Sequence, residues 1–175
     1  MVIKRPDPDK VILKPIEREA EKPTLKGNKG SAKARRTAAR LAAVQVLYQM
    51  GLNNQAAAEA VEEFIRHRVG FNLDGDVFVH ADADLLRDIV HGVQERWMDI
   101  EQVRSAALAE GGRSDVEAIL EAILRAGIFE LIGQPETDAG IIISDYLSVT
   151  AGFYEGGETK LVNAILDNVA KKVRA

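Results

Sequence analysis

Apolar residues recur at helical spacing through most of the chain, and the breaks between the runs divide it into elements. Residues 1–30 carry no sustained apolar period. From Ser31, a good N-cap, an alanine-rich run predicts a helix reaching Gly51, with Leu41, Val44, Leu47 and Tyr48 as its inward stripe at i, i+3, i+6 and i+7. A second helix is predicted over about 54–69, turning Ala58, Val61, Phe64 and Ile65 inward, and a loop over 70–81 containing Gly70, Asn72 and Gly75. A third starts near Asp82, and the stripe Leu86, Ile89, Val93, Trp97, Ile100 carries it, or a successor, to Glu110 before Gly111–Gly112.

Ser114-Asp115-Val116-Glu117 has the pattern of a capping box. It precedes the most apolar stretch of the chain, Val116, Ile119, Leu120, Ile123, Leu124, Ile128 and Leu131, which predicts a central helix ended by Gly133 and Pro135. Ile141-Ile142-Ile143 has strand propensity, but Tyr146, Leu147, Thr150 and Phe153 continue at helical spacing and predict a helix there too. After a turn at Tyr154-Glu155-Gly156-Gly157, a last helix over about 158–173 buries Leu161, Val162, Ile165, Leu166 and Val169. No hairpin signal competes with these runs, and the expected fold class is an all-α compact helical bundle.

Composition adds a boundary. Four of the five prolines lie in residues 1–30, among scattered Lys and Glu. Such a segment cannot bury enough surface to offset its ordering entropy, so a disordered basic arm over 1–30 and one helical domain over 31–175 are expected. With 46 % hydrophobic and 29 % charged residues, the chain is of globular type and needs no staples. It has no cysteine, which excludes disulfides and thiolate metal sites and agrees with a cytoplasmic location. The first residues lack the apolar stretch of a signal peptide, and no run approaches the roughly 18 apolar residues of a membrane span, so no membrane association is expected.

Charge is distributed unevenly behind a net −4. Residues 1–40 hold twelve basic and five acidic side chains, a balance of +7, whereas residues 41–175 hold eleven and twenty-two, a balance of −11. Lys26, Lys29, Lys33, Arg35, Arg36 and Arg40 have no acid among them, and Lys33, Arg36 and Arg40 form a stripe on the first helix. Cations at a helix N-terminus oppose the macrodipole, so their placement there suggests a use, namely the neutralisation of phosphates. The same charge also fits a solvated tail with no partner.

Catalytic signals are missing. His67, His80 and His91 are scattered without metal-ligand spacing and read as surface histidines. Gly111-Gly112 and Gly156-Gly157 lack the strand-to-helix context of a phosphate loop, and Asp74-Gly75-Asp76 fails as a calcium loop because its twelfth position is Leu85. No enzymatic activity, cofactor or metal is expected. Specific reading of single-stranded RNA would need aromatic or polar groups beside the cations. Tyr48 ends the same helix, and Phe153, Tyr154 and Lys160 flank a distant turn; both Tyr48 and Phe153 can equally be ordinary core or boundary aromatics.

Three ordered motifs carry a family resemblance. Ala34-Arg35-Arg36 with Ala39-Arg40-Leu41-Ala42-Ala43-Val44-Gln45-Val46-Leu47-Tyr48-Gln49 resembles the opening helix of the NusB family of bacterial transcription antitermination factors. Ala122-Ile123-Leu124-Arg125-Ala126-Gly127-Ile128-Phe129-Glu130-Leu131 resembles its central helix, and Phe153 to Gly157 with Lys160-Leu161-Val162-Asn163-Ala164-Ile165-Leu166-Asp167 its closing turn and last helix. The match covers about 33–172.

The resemblance implies two small helical subdomains and a non-enzymatic subunit. Such a subunit binds boxA-type single-stranded leader RNA together with the ribosomal protein NusE. Within the RNA polymerase antitermination complex it promotes read-through, notably in ribosomal RNA operons. Carried over by position, Arg36, Arg40, Tyr48, Phe153 and Lys160 are RNA contacts; Lys33 and Arg35 join them on the charge argument, and Gln45 is a weaker candidate that reads equally as a structural polar group. A homodimer covering the RNA face is a further state the resemblance implies. The chain departs from the family in having Leu120, with Glu121 beside it, where an acid linked to NusE contact is usual. It also has Gly156-Gly157 in the late turn, Leu161 for a frequent Phe and Asn163-Ala164 for Asn-Gly. Two other readings remain open: a protein-interaction scaffold whose acidic body docks a basic partner without RNA contact, and a fragment of a ribosomal RNA methyltransferase, which the lack of a glycine-rich nucleotide-binding unit disfavours.

Overall fold

The computed structural model describes residues 30–67, 71–72 and 78–175. Seven helices make up the described residues: α1 (Ala32–Asn53), α2 (Ala57–His67), α3 (Ala83–Glu95), α4 (Trp97–Glu110), α5 (Ala118–Gly133), α6 (Ala139–Phe153) and α7 (Glu158–Val173). The only strands among them are β1 (Phe71–Asn72) and β2 (Phe78–Val79), paired antiparallel with Phe71 opposite Val79, inside the segment expected to be all loop. The expected arm falls outside the described residues except for Gly30, as does Asp74-Gly75-Asp76.

Two groups of helices meet on α5. α1, α2 and α3 pack on one another; α6 and α7 pack on each other, α4 touches α7, and α5 is in contact with α1, α3, α4, α6 and α7. Thirteen of the fourteen residues of α5 from Ala118 to Leu131 are buried, all save Glu121, as its strongly apolar sequence predicts for an element enclosed on all sides. Two glycines let neighbours approach it: a Cβ on Gly92 of α3 would lie 2.1 Å from the Phe129 ring, and one on Gly127 would lie 3.0 Å from Leu166.

Local signals explain the boundaries, with two corrections. Ser31 Oγ accepts from the Ala34 N–H at 3.1 Å, as an N-cap should, but α1 passes through Gly51 and ends at Asn54, which takes the left-handed conformation at φ 51°. The capping box at Ser114–Glu117 does not form. Glu117 is itself the N-cap residue of α5 and makes no side-chain cap bond; its carboxylate faces the Tyr154 hydroxyl at 3.4 Å. The stripe from Leu86 to Ile100 is carried by two helices parted at Arg96, so a successor, α4, runs on to Glu110 as allowed for. Ile141–Ile143 are helical, started by Asp138, whose carboxylate accepts from the Gly140 N–H at 2.8 Å. Arg174 closes the C-terminus on the α5–α6 turn, donating to the carbonyls of Glu130, Leu131, Gln134 and Thr137. No described helix is long and apolar enough to cross a membrane.

Candidate nucleic-acid interface

α1 is enclosed over most of its surface because alanines let its neighbours come close: Ala38, Ala39, Ala42, Ala43, Val44 and Val46 are all buried. Its most open ridge is Leu41, Gln45, Tyr48 and Leu52, at i, i+4, i+7 and i+11, where Leu52 is 50 % exposed and the others are half-buried. The expected inward stripe is therefore split. Val44 is buried, whereas Leu41 and Tyr48 stand at the edge.

The cationic stripe is split as well. Lys33 and Arg36 are exposed on the first turns of α1. Arg35 is half-buried, with its carbonyl accepting from the Asp82 N–H at 3.0 Å and its Nε enclosed without a partner among the described residues.

Arg40 corrects the expectation of an exposed cation, since it is only 2 % exposed. Its Nε and Nη2 donate to the two carboxylate oxygens of Glu130, each at 2.9 Å, and its Nη1 donates to Asp145 at 2.5 Å. Tyr146 adds its hydroxyl to Glu130 at 2.6 Å, and Thr37 donates to Asp145 at 2.8 Å. Burial by itself would lower the Arg40 pKa, but the bonds and charge of Glu130, then Asp145, outweigh it and raise the value. Burial, then the negative charge of Glu130, pushes the Tyr146 phenol well above its usual range. Three of the five N–H donors of Arg40 are engaged in this way, and its 2 % exposure keeps the guanidinium off the open surface. It fastens α1 to α5 and α6, and a signal for that was present in the sequence: Arg40, Val44 and Leu47 are themselves at i, i+4 and i+7, and Glu130 is a lone acid in an apolar run.

The late turn divides in the same manner. Phe153 is buried, 7 % exposed, and belongs to the core instead of offering a ring face; Lys160 is exposed on the first turn of α7. Gln45 is half-buried, and its Oε1 has no hydrogen-bond partner among the described residues. His67 is exposed, and His80 and His91 are half-buried; no group of metal-ligating side chains is assembled among the described residues.

α1 has a second feature, which its apolar and charge periodicity does not mark. Beyond Tyr48, the helix end and the α1–α2 turn line an open cleft of about 610 Å³ with Gln49, Asn53, Asn54, Gln55, Glu59 and Glu63. The amide-rich run Gln49-Met50-Gly51-Leu52-Asn53-Asn54-Gln55 was its signal.

Comparison with known proteins agrees with this architecture. The NusB family model matches residues 37–171. A transcription antitermination protein NusB from Agrobacterium fabrum (strain C58) is 44 % identical over 140 residues, covering 79 % of this chain and 85 % of that one. A protein of the same name from Bartonella henselae is 41 % identical over 141 residues, covering 80 % and 89 %. Among solved structures, T. maritima NusB superposes with a TM-score of 0.63 at 22 % identity over 78 % of this chain and 91 % of that one, a likeness of fold. With a family model spanning most of the described residues and relatives above 40 % identity, the chain belongs to the NusB family of non-enzymatic transcription antitermination factors.

Proposed function

We propose that this protein binds boxA-type single-stranded leader RNA together with the ribosomal protein NusE. In that role it acts within the RNA polymerase antitermination complex to promote read-through in ribosomal RNA operons. The observation that carries the reading is the arrangement on α1. Lys33 and Arg36 stand free of the bundle at one end, and the half-open ridge of Gln45, Tyr48 and Leu52 follows along the same helix. Free cations supply phosphate attraction that weakens with salt, and a half-exposed tyrosine supplies a stacking face. Arg35 and Lys160 are further RNA contacts by charge in this reading, whereas Arg40 and Phe153 act from the interior, by holding α1, α5 and α6 in place.

Titration of a boxA-type oligonucleotide at two salt concentrations, with and without NusE, tests the reading. Binding should tighten with NusE and weaken with salt, and replacing Lys33 and Arg36 together by Ala should lower the salt slope by about 2. RNA affinity that the double replacement leaves unchanged would overturn it. The acidic balance of residues 41–175 favours one other reading, a scaffold that binds NusE without touching RNA. Retention of NusE with no RNA binding at low salt would select that one.

A further inference from the structure

The cleft at the C-terminal end of α1 is polar and acidic, with Ala56 as its one apolar lining residue. No Lys or Arg lines it; its walls are the amides of Gln49, Asn53, Asn54 and Gln55 and the carboxylates of Glu59 and Glu63. Such a lining repels phosphate and accepts N–H donors. The amides are also oriented. Gln55 donates to Glu63 at 2.6 Å and accepts from Gln49 Nε2 at 3.0 Å, which leaves the Gln49 carbonyl oxygen as an acceptor. Glu59 is exposed and unpaired among the described residues. Asn54 holds the turn at φ 51°, the one non-glycine with positive φ among the described residues.

Position links the cleft to the ridge above. Gln49 and Asn53 follow Tyr48 and Leu52 by one residue each, so the two pairs occupy neighbouring faces of the last turns of α1. The cleft lies about 20 Å along the helix axis from Arg36, at 1.5 Å per residue. Along the helix axis, Tyr48 stands between the exposed cations Lys33 and Arg36 and the cleft.

We infer that the cleft formed by Gln49, Asn53, Asn54, Gln55, Glu59 and Glu63 is a base-reading subsite, which takes one unpaired nucleobase by its N–H donor edge. A guanine fits this acceptor set best, because its N1–H and N2 amino group present two adjacent donors to a carboxylate. The inference rests on the proposed RNA binding. It assigns the cations to affinity and the cleft to sequence preference.

Full-length protein and a boxA-type oligonucleotide in which each guanine in turn is replaced by inosine, which lacks the N2 amino group, provide the test. In the wild type, one replacement should weaken binding about tenfold, within what a bidentate base contact contributes. Glu59→Gln should erase that difference while keeping the wild-type salt slope. Asn54→Gly, which retains the left-handed turn and removes only the amide, should reduce the difference without unfolding the protein. Wild-type binding with no inosine-sensitive position, or sensitivity unchanged in both variants, overturns the subsite and leaves RNA binding intact. If Glu59→Gln instead leaves the RNA profile unchanged and weakens NusE binding, the cleft belongs to a basic protein segment and the inference is again overturned. Absence of any RNA binding by the wild type at low salt overturns the subsite together with the functional reading beneath it.

Discussion

Arg36 and Arg40 are one helical turn apart and have opposite fates. Arg36 extends from α1 into solvent, whereas Arg40 meets Glu130 and Asp145 in the interior. A buried ion pair that loses one partner leaves the other charge stranded in low dielectric, so Arg40→Ala should cost about 3–5 kcal/mol in urea denaturation. Arg36→Ala should stay within about 0.5 kcal/mol of wild type in the same assay, since it breaks no buried contact. Arg40→Lys should restore little of the loss, because an ammonium cannot reproduce the two-pronged contact with Glu130. Equal stability of the Ala variants at the two positions would show that the interior network is energetically idle.

At the scale of elements, α3 and α5 cross where glycines remove side-chain bulk. The Phe129 ring occupies the space that a Cβ on Gly92 would need, and it also lies 3.0 Å from where a Cβ on Gly133 would be. Gly92→Ala raises helix propensity by up to about 1 kcal/mol but overpacks the crossing, and the overpacking should win, with a net loss of about 1–2 kcal/mol by thermal melting. Phe129→Leu in the Gly92→Ala background should recover part of that loss, a coupling that a double-mutant cycle measures directly. Additive losses would place the strain elsewhere. Much at this scale was legible in the sequence: the bounds of α7 and the helical character of Ile141–Ile143 follow from periodicity. The end of α1 does not, because both Gly51 and Asn54 suit a left-handed residue and the local sequence does not choose between them. The capping box failed for a similar reason, since Glu117 is near Tyr154 from the far end of α6.

Across the whole molecule, ion pairs tie the acidic body together. Glu101 of α4 accepts from Arg104 at 2.8 Å and from Arg125 of α5 at 2.7 Å, and Arg125 lies 4.5 Å from the Trp97 ring centre. Burial would raise the Glu101 pKa, but the bonds from the two guanidiniums prevail and bring it from the usual 4.5 down to about 2. A folded-state value below the unfolded one means a contribution to stability that is full above pH 4.5 and is lost as pH falls toward about 2. Glu101→Gln should therefore be less stable than wild type at neutral pH, with the two converging across that window in urea midpoints. A gap that persists at pH 2 would assign the loss to packing.

The sequence by itself determined the helical class, most of the helices, the enclosure of α5 and the concentration of positive charge ahead of α1, because periodicity and charge are properties of neighbours along a chain. Its three motifs also carried the family. Which cations remain free was decided only by the tertiary structure. Arg40 is drawn inward by acceptors ninety and one hundred and five residues away; its register with Val44 and Leu47 hints at an inward position, but no local pattern names those partners. The same holds for the amide cleft, whose residues are adjacent in the chain from Gln49 to Gln55 but become a lined space only when α2 brings Glu59 and Glu63 across from them. Burial and long-range pairing depend on what folding brings together, and that is why Lys33 and Arg36 stay exposed while Arg40 of the same stripe is buried.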